Sequence, residues 1–181
     1  KSRIRGLQTH KAPIDTAQPG SRVAANLVGV TVTQLRRGDV VTRPGWLVPT
    51  AMLSVKLCLL PYVRHPLKHN ATVSFFTGSA ETLAKVRLLE GEELKPGATT
   101  WAQLLLDKPL AVVNSDHFII RSTTDTLGGG KIVEAHAKRL RRLRPSVIHS
   151  LKAREEGTTN EAMLALLETK QPLALSALLA E

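Results

Sequence analysis

The sequence contains few cysteines, few aromatic residues and no long apolar run, and each scarcity excludes a class of protein. One cysteine, Cys58, among 181 residues excludes an internal disulfide framework and a thiolate zinc site. Aromatic residues make up 3% of the chain, which disfavours a single-strand binder built on base stacking. No run reaches the roughly 18 apolar residues that a membrane-spanning helix needs, so we expect none.

The excess of positive charge is concentrated in two segments. The chain has 25 Lys and Arg against 15 Asp and Glu, a formal net charge of +10. Residues 1–43 contain eight basic and two acidic residues, and residues 134–154 contain seven and one. Clustered positive charge attracts polyanions through counterion release. The alternative is a solvated surface joined to a basic linker.

The first 133 residues are predicted to be all β. Short β-prone runs recur at intervals typical of a barrel or sandwich, at residues 23–28, 53–59, 72–76, 84–89, 101–106 and 117–121. Gly and Pro separate them, and the segment from Pro44-Gly45 through Pro49 reads as a hinge between two β modules. The opening residues 1–4 read as the middle of a strand, which suggests a piece of a larger protein.

After Val133 the pattern becomes helical. Pro145 is suited to a first helical turn, and Val147, Ile148 and Leu151 have helical spacing up to Gly157. Further helices are predicted after Thr159 and from Pro172. Three short helices of this kind are typical of the front of a winged-helix unit.

No motif supports catalysis or a cofactor. The run 128–131 (GGGK) lacks the spacing and the following Ser or Thr of a phosphate loop, so close packing between strands explains it better. His65 and His69 have metal spacing only on a helix, which Pro66 disfavours. We therefore expect no enzyme activity, no metal and no cofactor in this sequence.

The basic stretch at residues 138–144 is the strongest compositional signal. Its side chains suit phosphate contact with RNA, and the candidate residues are Lys138, Arg139, Arg141, Arg142 and Arg144. The alternative is a solvated helix between domains whose Leu140 and Leu143 dock on a neighbour.

The order of several motifs resembles a known family. Residues 4–10 (IRGLQTH), 19–27 (PGSRVAANL) and 35–41 (LRRGDVV) resemble the second β-barrel of translation GTPases. Residues 78–81 (GSAE), 84–86 (AKV) and 101–104 (WAQL) resemble the third domain of SelB, the selenocysteine-specific elongation factor family. Residues 118–121 (FIIR) and 126–130 (TLGGG) are similar to its closing strands.

The resemblance implies a mainly β fold with an α-helical tail. Its expected domains are a partial barrel at residues 1–47, a barrel at 48–133, and a basic connector with partial winged-helix helices at 134–181. The implied function is delivery of selenocysteinyl-tRNA to the ribosome in the cytoplasm. GTP and magnesium would belong to a GTPase domain before Lys1, and the mRNA hairpin to a distal winged-helix region.

The resemblance also implies further RNA-binding residues. Arg36 and Arg37 match the segment near the aminoacyl pocket, and Arg64 matches a basic position that faces tRNA. Arg121, Ser122 and Thr123 match a segment that touches the T stem, although the family's acidic residue and glycine are replaced there. Two alternatives are the barrels of another translation GTPase, of the initiation-factor-gamma type, and a β-barrel protein-interaction module.

Overall fold

The structure, a computed structural model, describes residues 1–156. The chain divides into two compact units, one from Lys1 to Trp46 and one that begins at Leu47. The helices predicted after Thr159 and from Pro172 lie outside the described residues. Up to residue 156, no helix combines the length and the apolar character needed to cross a membrane.

The first unit is a three-stranded antiparallel sheet. Its strands are β1 (Ile4–Thr9), β2 (Ala12–Ile14) and β3 (Ala24–Leu27), in the order β2-β1-β3, followed by a 3-10 turn at Val32–Gln34. Strand β1 begins at Ile4, so the expectation that residues 1–3 lie inside a strand is wrong. None of residues 1–46 is buried, and hence this unit has little core of its own.

The second unit is built on a closed antiparallel barrel. Its strands are β4 (Thr50–Leu59), β6 (Thr72–Thr77), β7 (Ala80–Leu88), β9 (Thr99–Leu110), β10 (His117–Arg121) and β11 (Thr126–Glu134). They close in the order β10-β11-β4-β9-β7-β6, and a small sheet pairs β5 (Leu67–Lys68) with β8 (Glu93–Leu94). The predicted mainly β fold is confirmed, and each predicted run from residue 53 to 121 overlaps a barrel strand.

Alternation along the strands fills the barrel interior. In β4 the side chains of Leu53, Val55, Leu57 and Leu59 are fully buried, because alternate residues of a strand face the same side. The Phe75 and Phe118 rings stack across the interior with centroids 5.4 Å apart. Each fully buried Leu or Val contributes about 1.5–3 kcal/mol relative to an exposed one.

The three glycines of β11 allow its neighbours to approach closely. A Cβ added at Gly128 would lie 2.1 Å from the Cys58 carbonyl oxygen, and one at Gly130 would lie 1.9 Å from that of Lys56. No Cβ fits at such distances, so only glycine suits these positions. The interpretation of this run as close strand packing is confirmed.

The segment after β11 is not helical until Pro145. Residues 135–144, which we call the connector, contain no helix, and α1 runs over Pro145–Glu156. The predicted helix start at Pro145 is confirmed, whereas a helical pattern from residue 134 is wrong. The connector is irregular because its backbone bonds to the barrel and Leu143 has a left-handed φ of 56°.

Candidate nucleic-acid interface

One buried side chain, Gln103 of β9, holds the connector against the barrel. Its Oε1 accepts a hydrogen bond from the Leu140 N–H at 3.0 Å, and its Nε2 donates to the Lys138 carbonyl at 2.8 Å. Arg87 of β7 donates through Nη1 to Gln103 Oε1 and to the Leu140 carbonyl, at 2.8 and 2.7 Å. These bonds satisfy backbone groups of the connector as a neighbouring strand would.

Arg142 attaches the connector at a second place, the end of β7 and the loop that follows it. Its Nε donates to the Leu88 carbonyl at 2.7 Å, and its Nη2 donates to the Gly91 carbonyl and to Glu92 Oε1, both at 2.6 Å. The Leu143 N–H donates to the Leu89 carbonyl at 2.8 Å. The Arg142 hydrogen bond lowers the pKa of Glu92 below its usual range. Arg142, a candidate RNA ligand in the sequence, is thus engaged in connector attachment.

Helix α1 packs on the outside of the barrel. Leu151 is buried with Leu89, Trp101 and Val133, and the connector's Leu140 packs against the same cluster. Two ion pairs border this contact: Lys56 Nζ lies 2.7 Å from Glu155 Oε2, and Arg154 Nη1 lies 2.5 Å from Glu134 Oε1. Connector and helix therefore belong to one packed unit with the barrel.

The remaining basic side chains of the connector face solvent. Lys138, Arg139, Arg141 and Arg144 are exposed, as an electrostatic surface for a polyanion requires. Of the two leucines expected to dock in the alternative interpretation, Leu140 packs against the barrel cluster while Leu143 is 63% exposed. The docking interpretation thus accounts for the backbone of the connector and for Leu140, which contact the barrel. The RNA interpretation accounts for the four basic side chains that remain exposed to solvent.

The residues carried over from the resemblance lie in separate places. Arg121 ends β10, exposed, with its guanidinium 5.9 Å from the Phe76 ring centroid. The Ser122 hydroxyl accepts from the Asp125 N–H at 2.9 Å and so closes a turn, while Thr123 is exposed. Arg64 is exposed in the loop before β5.

Arg36 and Arg37 belong to the first unit. Both are exposed just after the 3-10 turn, and the Arg36 N–H donates to Asp39 Oδ2 at 2.7 Å. The main-chain bond from the Asp39 N–H to the Arg36 carbonyl, at 3.1 Å, completes this turn. The two guanidinium groups are thus carried on a hydrogen-bonded turn with Gly38 at its tip, where φ is 99°.

Two basic residues of the barrel are not indicated as candidates by the sequence. Lys85 and Arg87 share the outward face of β7, while His69, weighed above as a metal ligand, lies in the turn before β6. Burial, and then the nearby Arg139 and Arg142, lower the pKa of the Arg87 guanidinium. Burial and Arg142 also lower the pKa of His69. Strand alternation in β7 indicates that Lys85 and Arg87 face outward, but their proximity to the connector depends on contacts distant in sequence.

The described residues offer no obvious place for a metal ion. Among residues 1–156, no group of three or more His, Cys, Asp or Glu side chains is positioned to hold one. The glycine run that might suggest a phosphate loop is occupied by strand packing in β11.

Comparison with known families identifies the barrel. Residues 54–139 match a family model described as "Selenocysteine-specific elongation factor, beta-barrel domain". The match runs from within β4 through β11 to Arg139, so it includes Lys138, one of the two connector residues that Gln103 holds. The barrel is accordingly a β-barrel domain of a translation factor.

Two curated relatives extend the similarity beyond this domain. A protein of Desulfomicrobium baculatum named selenocysteine-specific elongation factor is 36% identical over 169 residues, 92% of this chain and 26% of the relative. One of the same name from Haemophilus influenzae is 29% identical over 140 residues, 76% of this chain and 22% of the relative. The chain belongs to the SelB family, and it spans about a quarter of the length of these relatives.

Proposed function

We propose that this chain is the tRNA-binding portion of a selenocysteine-specific translation elongation factor, which delivers selenocysteinyl-tRNA to the ribosome. The observation that carries the proposal is the 36% identity over 92% of the chain to a protein of that name. That similarity covers more of the chain than the barrel domain alone. The mechanism is non-covalent, since phosphate positioning needs charge and geometry but no reacting side chain.

The rigid attachment of the connector supports this function. Lys138, Arg139, Arg141 and Arg144 are exposed on a segment whose backbone is fixed to the barrel by Gln103 and Arg142. A preorganised basic surface binds a polyanion with a smaller loss of conformational freedom than a flexible tail does. Arg121 and Arg64 extend the basic character to two other parts of the barrel unit.

The domain boundaries complete the proposal. We assign residues 1–47 to part of a second-domain barrel, which holds the aminoacyl end through the Arg36 and Arg37 turn. We assign residues 48–133 to the third-domain barrel, which contacts the tRNA stems, and residues 134–181 to a basic segment that leads into a partial winged-helix region. The whole factor acts in the cytoplasm.

Nucleotide and mRNA binding are proposed for other parts of the same factor. Within residues 1–156 the glycine run packs between strands, and no group of three or more His, Cys, Asp or Glu side chains is positioned to hold a metal ion. A separate GTPase domain would bind GTP and magnesium, and a distal winged-helix region would bind the mRNA hairpin.

Filter binding against several aminoacyl-tRNAs tests the proposal. We expect this chain to retain selenocysteinyl-tRNA more strongly than initiator tRNA or elongator aminoacyl-tRNAs at the same salt concentration. A strong preference for initiator tRNA would instead identify an initiation-factor-gamma type. No affinity for any tRNA would favour a protein-interaction module.

A further inference from the structure

Lys85 and Arg87 of β7 lie on the side of the barrel that the connector crosses. Ala84, Val86 and Leu88 point into the core, so the two basic residues between them face outward. Arg87 is paired in register with Gln103 of β9, the residue that clamps the connector. Residues two apart along a strand are separated by about 6.6 Å, close to the spacing of successive phosphates in one nucleic-acid strand.

The connector adds a third positive charge at this place. Gln103 bonds to the backbone of Lys138 and of Leu140, so the intervening Arg139 is held beside the barrel while its side chain remains exposed. Burial, and then the positive charge of the nearby Arg139, lower the pKa of the Arg87 guanidinium.

Few negative charges compensate this cluster. The ion pairs among residues 1–156 use Lys56, Arg142 and Arg154, so Lys85, Arg87 and Arg139 are not paired within that range. Two nearby carboxylates are already engaged: Glu92 accepts a hydrogen bond from Arg142, and Glu134 forms an ion pair with Arg154. A concentration of unneutralised positive charge is costly in isolation and is relieved by a bound polyanion.

The surroundings favour phosphates over bases. Trp101, the aromatic residue that packs with the connector's Leu140, is only 4% exposed and offers no face for base stacking. A surface with cations but no stacking platform binds the sugar-phosphate backbone and is insensitive to sequence.

We propose that Lys85, Arg87 and Arg139 form one binding surface for the phosphate backbone of double-helical RNA, assembled when Gln103 clamps the connector onto the barrel. This inference rests on the proposed function and specifies where and how the barrel unit contacts an RNA stem. Gln103 acts as a positioning residue, because it fixes the connector without reaching the RNA.

Fluorescence anisotropy with the whole chain tests the surface. The probes are a labelled 12-base-pair RNA duplex, a second duplex of unrelated sequence and single-stranded oligo(U). Affinity is measured over a salt series. We expect Lys85→Ala and Arg139→Ala each to lower the affinity for both duplexes by the same factor. Each should also reduce the magnitude of the slope of log K against log salt by about 1. Oligo(U) is expected to bind more weakly than either duplex.

A matched control is available on the far side of the barrel. Lys131 lies on β11, which is opposite β7 in the closed strand order, and Lys131→Ala should leave the slope unchanged. Gln103→Leu should lower the affinity for the duplex by about as much as Arg139→Ala does. The double variant should bind the duplex only slightly more weakly than either single variant. Amide exchange at Leu143 reports separately whether the connector is still attached in each variant.

Several outcomes overturn the inference. Suppose that Lys85→Ala, Arg139→Ala and Lys131→Ala all give the same slope of log K against log salt while the chain still binds tRNA. The assignment of this surface to RNA is then wrong, and the proposed function stands. If the unaltered chain binds neither tRNA nor duplex, both fail. If poly-glutamate displaces the duplex and binds more tightly than it, the surface is a site for an acidic protein segment.

Discussion

At the scale of single residues, His69 couples the stability of the barrel to pH. Burial, assisted by Arg142, lowers the pKa of His69, and its Nδ1 is buried without a hydrogen-bond partner among the described residues. Below the ordinary histidine pKa of about 6.5, His69 therefore binds a proton in the unfolded chain but remains mostly neutral in the folded chain until the pH reaches its lowered pKa. The free energy of unfolding falls as pH decreases from about 6.5 toward the lowered pKa.

The measurement for this prediction is urea denaturation at pH 7.5 and pH 5.5. His69→Gln removes the titrating group, so its loss of stability between the two pH values should be smaller than that of the unaltered chain. His65→Gln, which changes an exposed histidine four residues away, is the matched control and should behave like the unaltered chain. Identical pH dependence in all three chains would refute the role of His69.

Gly130 is the residue at which a single methyl group has the clearest structural cost. The added Cβ of Gly130→Ala would lie 1.9 Å from the Lys56 carbonyl oxygen, so β4 and β11 must separate. Overpacking of this kind costs about 1–3 kcal/mol or more in the free energy of unfolding. Gly91→Ala is the control, because its nearest neighbour is 3.9 Å away. Equal urea midpoints for the two variants would contradict the close-packing account.

Arg36 and Arg37 provide a residue-scale test of amino-acid selection. A selenol is largely ionised at neutral pH, so a pocket that selects it gains from positive charge. Both guanidinium groups are exposed on the turn of the first unit. Arg36→Glu or Arg37→Glu should therefore weaken binding of selenocysteinyl-tRNA more than binding of the same tRNA charged with serine. Equal losses in filter binding would leave only general attraction to RNA.

At the scale of elements, the connector is attached by a few hydrogen bonds that can be removed one at a time. Arg142 donates three of these hydrogen bonds. A hydrogen bond that involves a charged group contributes about 1.5–3 kcal/mol to the free energy of unfolding. Arg142→Ala should increase amide exchange at Leu140 and Leu143 by at least tenfold. Arg141→Ala removes an exposed charge from the neighbouring position and should leave that exchange unchanged.

Strands were predictable where sequence alternation reflects one buried face. The run at 117–121 coincides with β10, and those at 53–59 and 72–76 lie within β4 and β6. β11 has no such alternation, because its glycines replace side chains with backbone contacts to β4 and β10. The connector was wrongly expected to be helical, since its conformation depends on Gln103 and Arg87, which are 35 or more residues away.

The candidate site was predictable to a similar extent. Clustered charge identified the connector, and Lys138, Arg139, Arg141 and Arg144 are exposed as an RNA surface needs. The same composition could not distinguish Arg142, whose guanidinium bonds to the barrel, because composition does not reveal which charge meets which carbonyl. Their roles as RNA ligands stay predictions.

At the scale of the whole molecule, the two units should differ widely in stability. None of residues 1–46 is buried, whereas the barrel unit contains a continuous apolar core. Regions with little buried apolar surface open at low free-energy cost. Amide exchange followed by mass spectrometry should therefore show much faster exchange in β1 and β3 than in β4 and β9. Equal protection across both units would show that the first unit is stabilised as strongly as the barrel.

The salt dependence of selenocysteinyl-tRNA binding tests the central claim most directly. If basic side chains of this chain bind tRNA through its phosphates, log K falls linearly as log salt rises, with a slope that reports the number of phosphates neutralised. We predict a loss of at least tenfold in affinity between 50 and 200 mM salt, as expected for a few phosphate contacts. An affinity that does not change over that range would contradict the account.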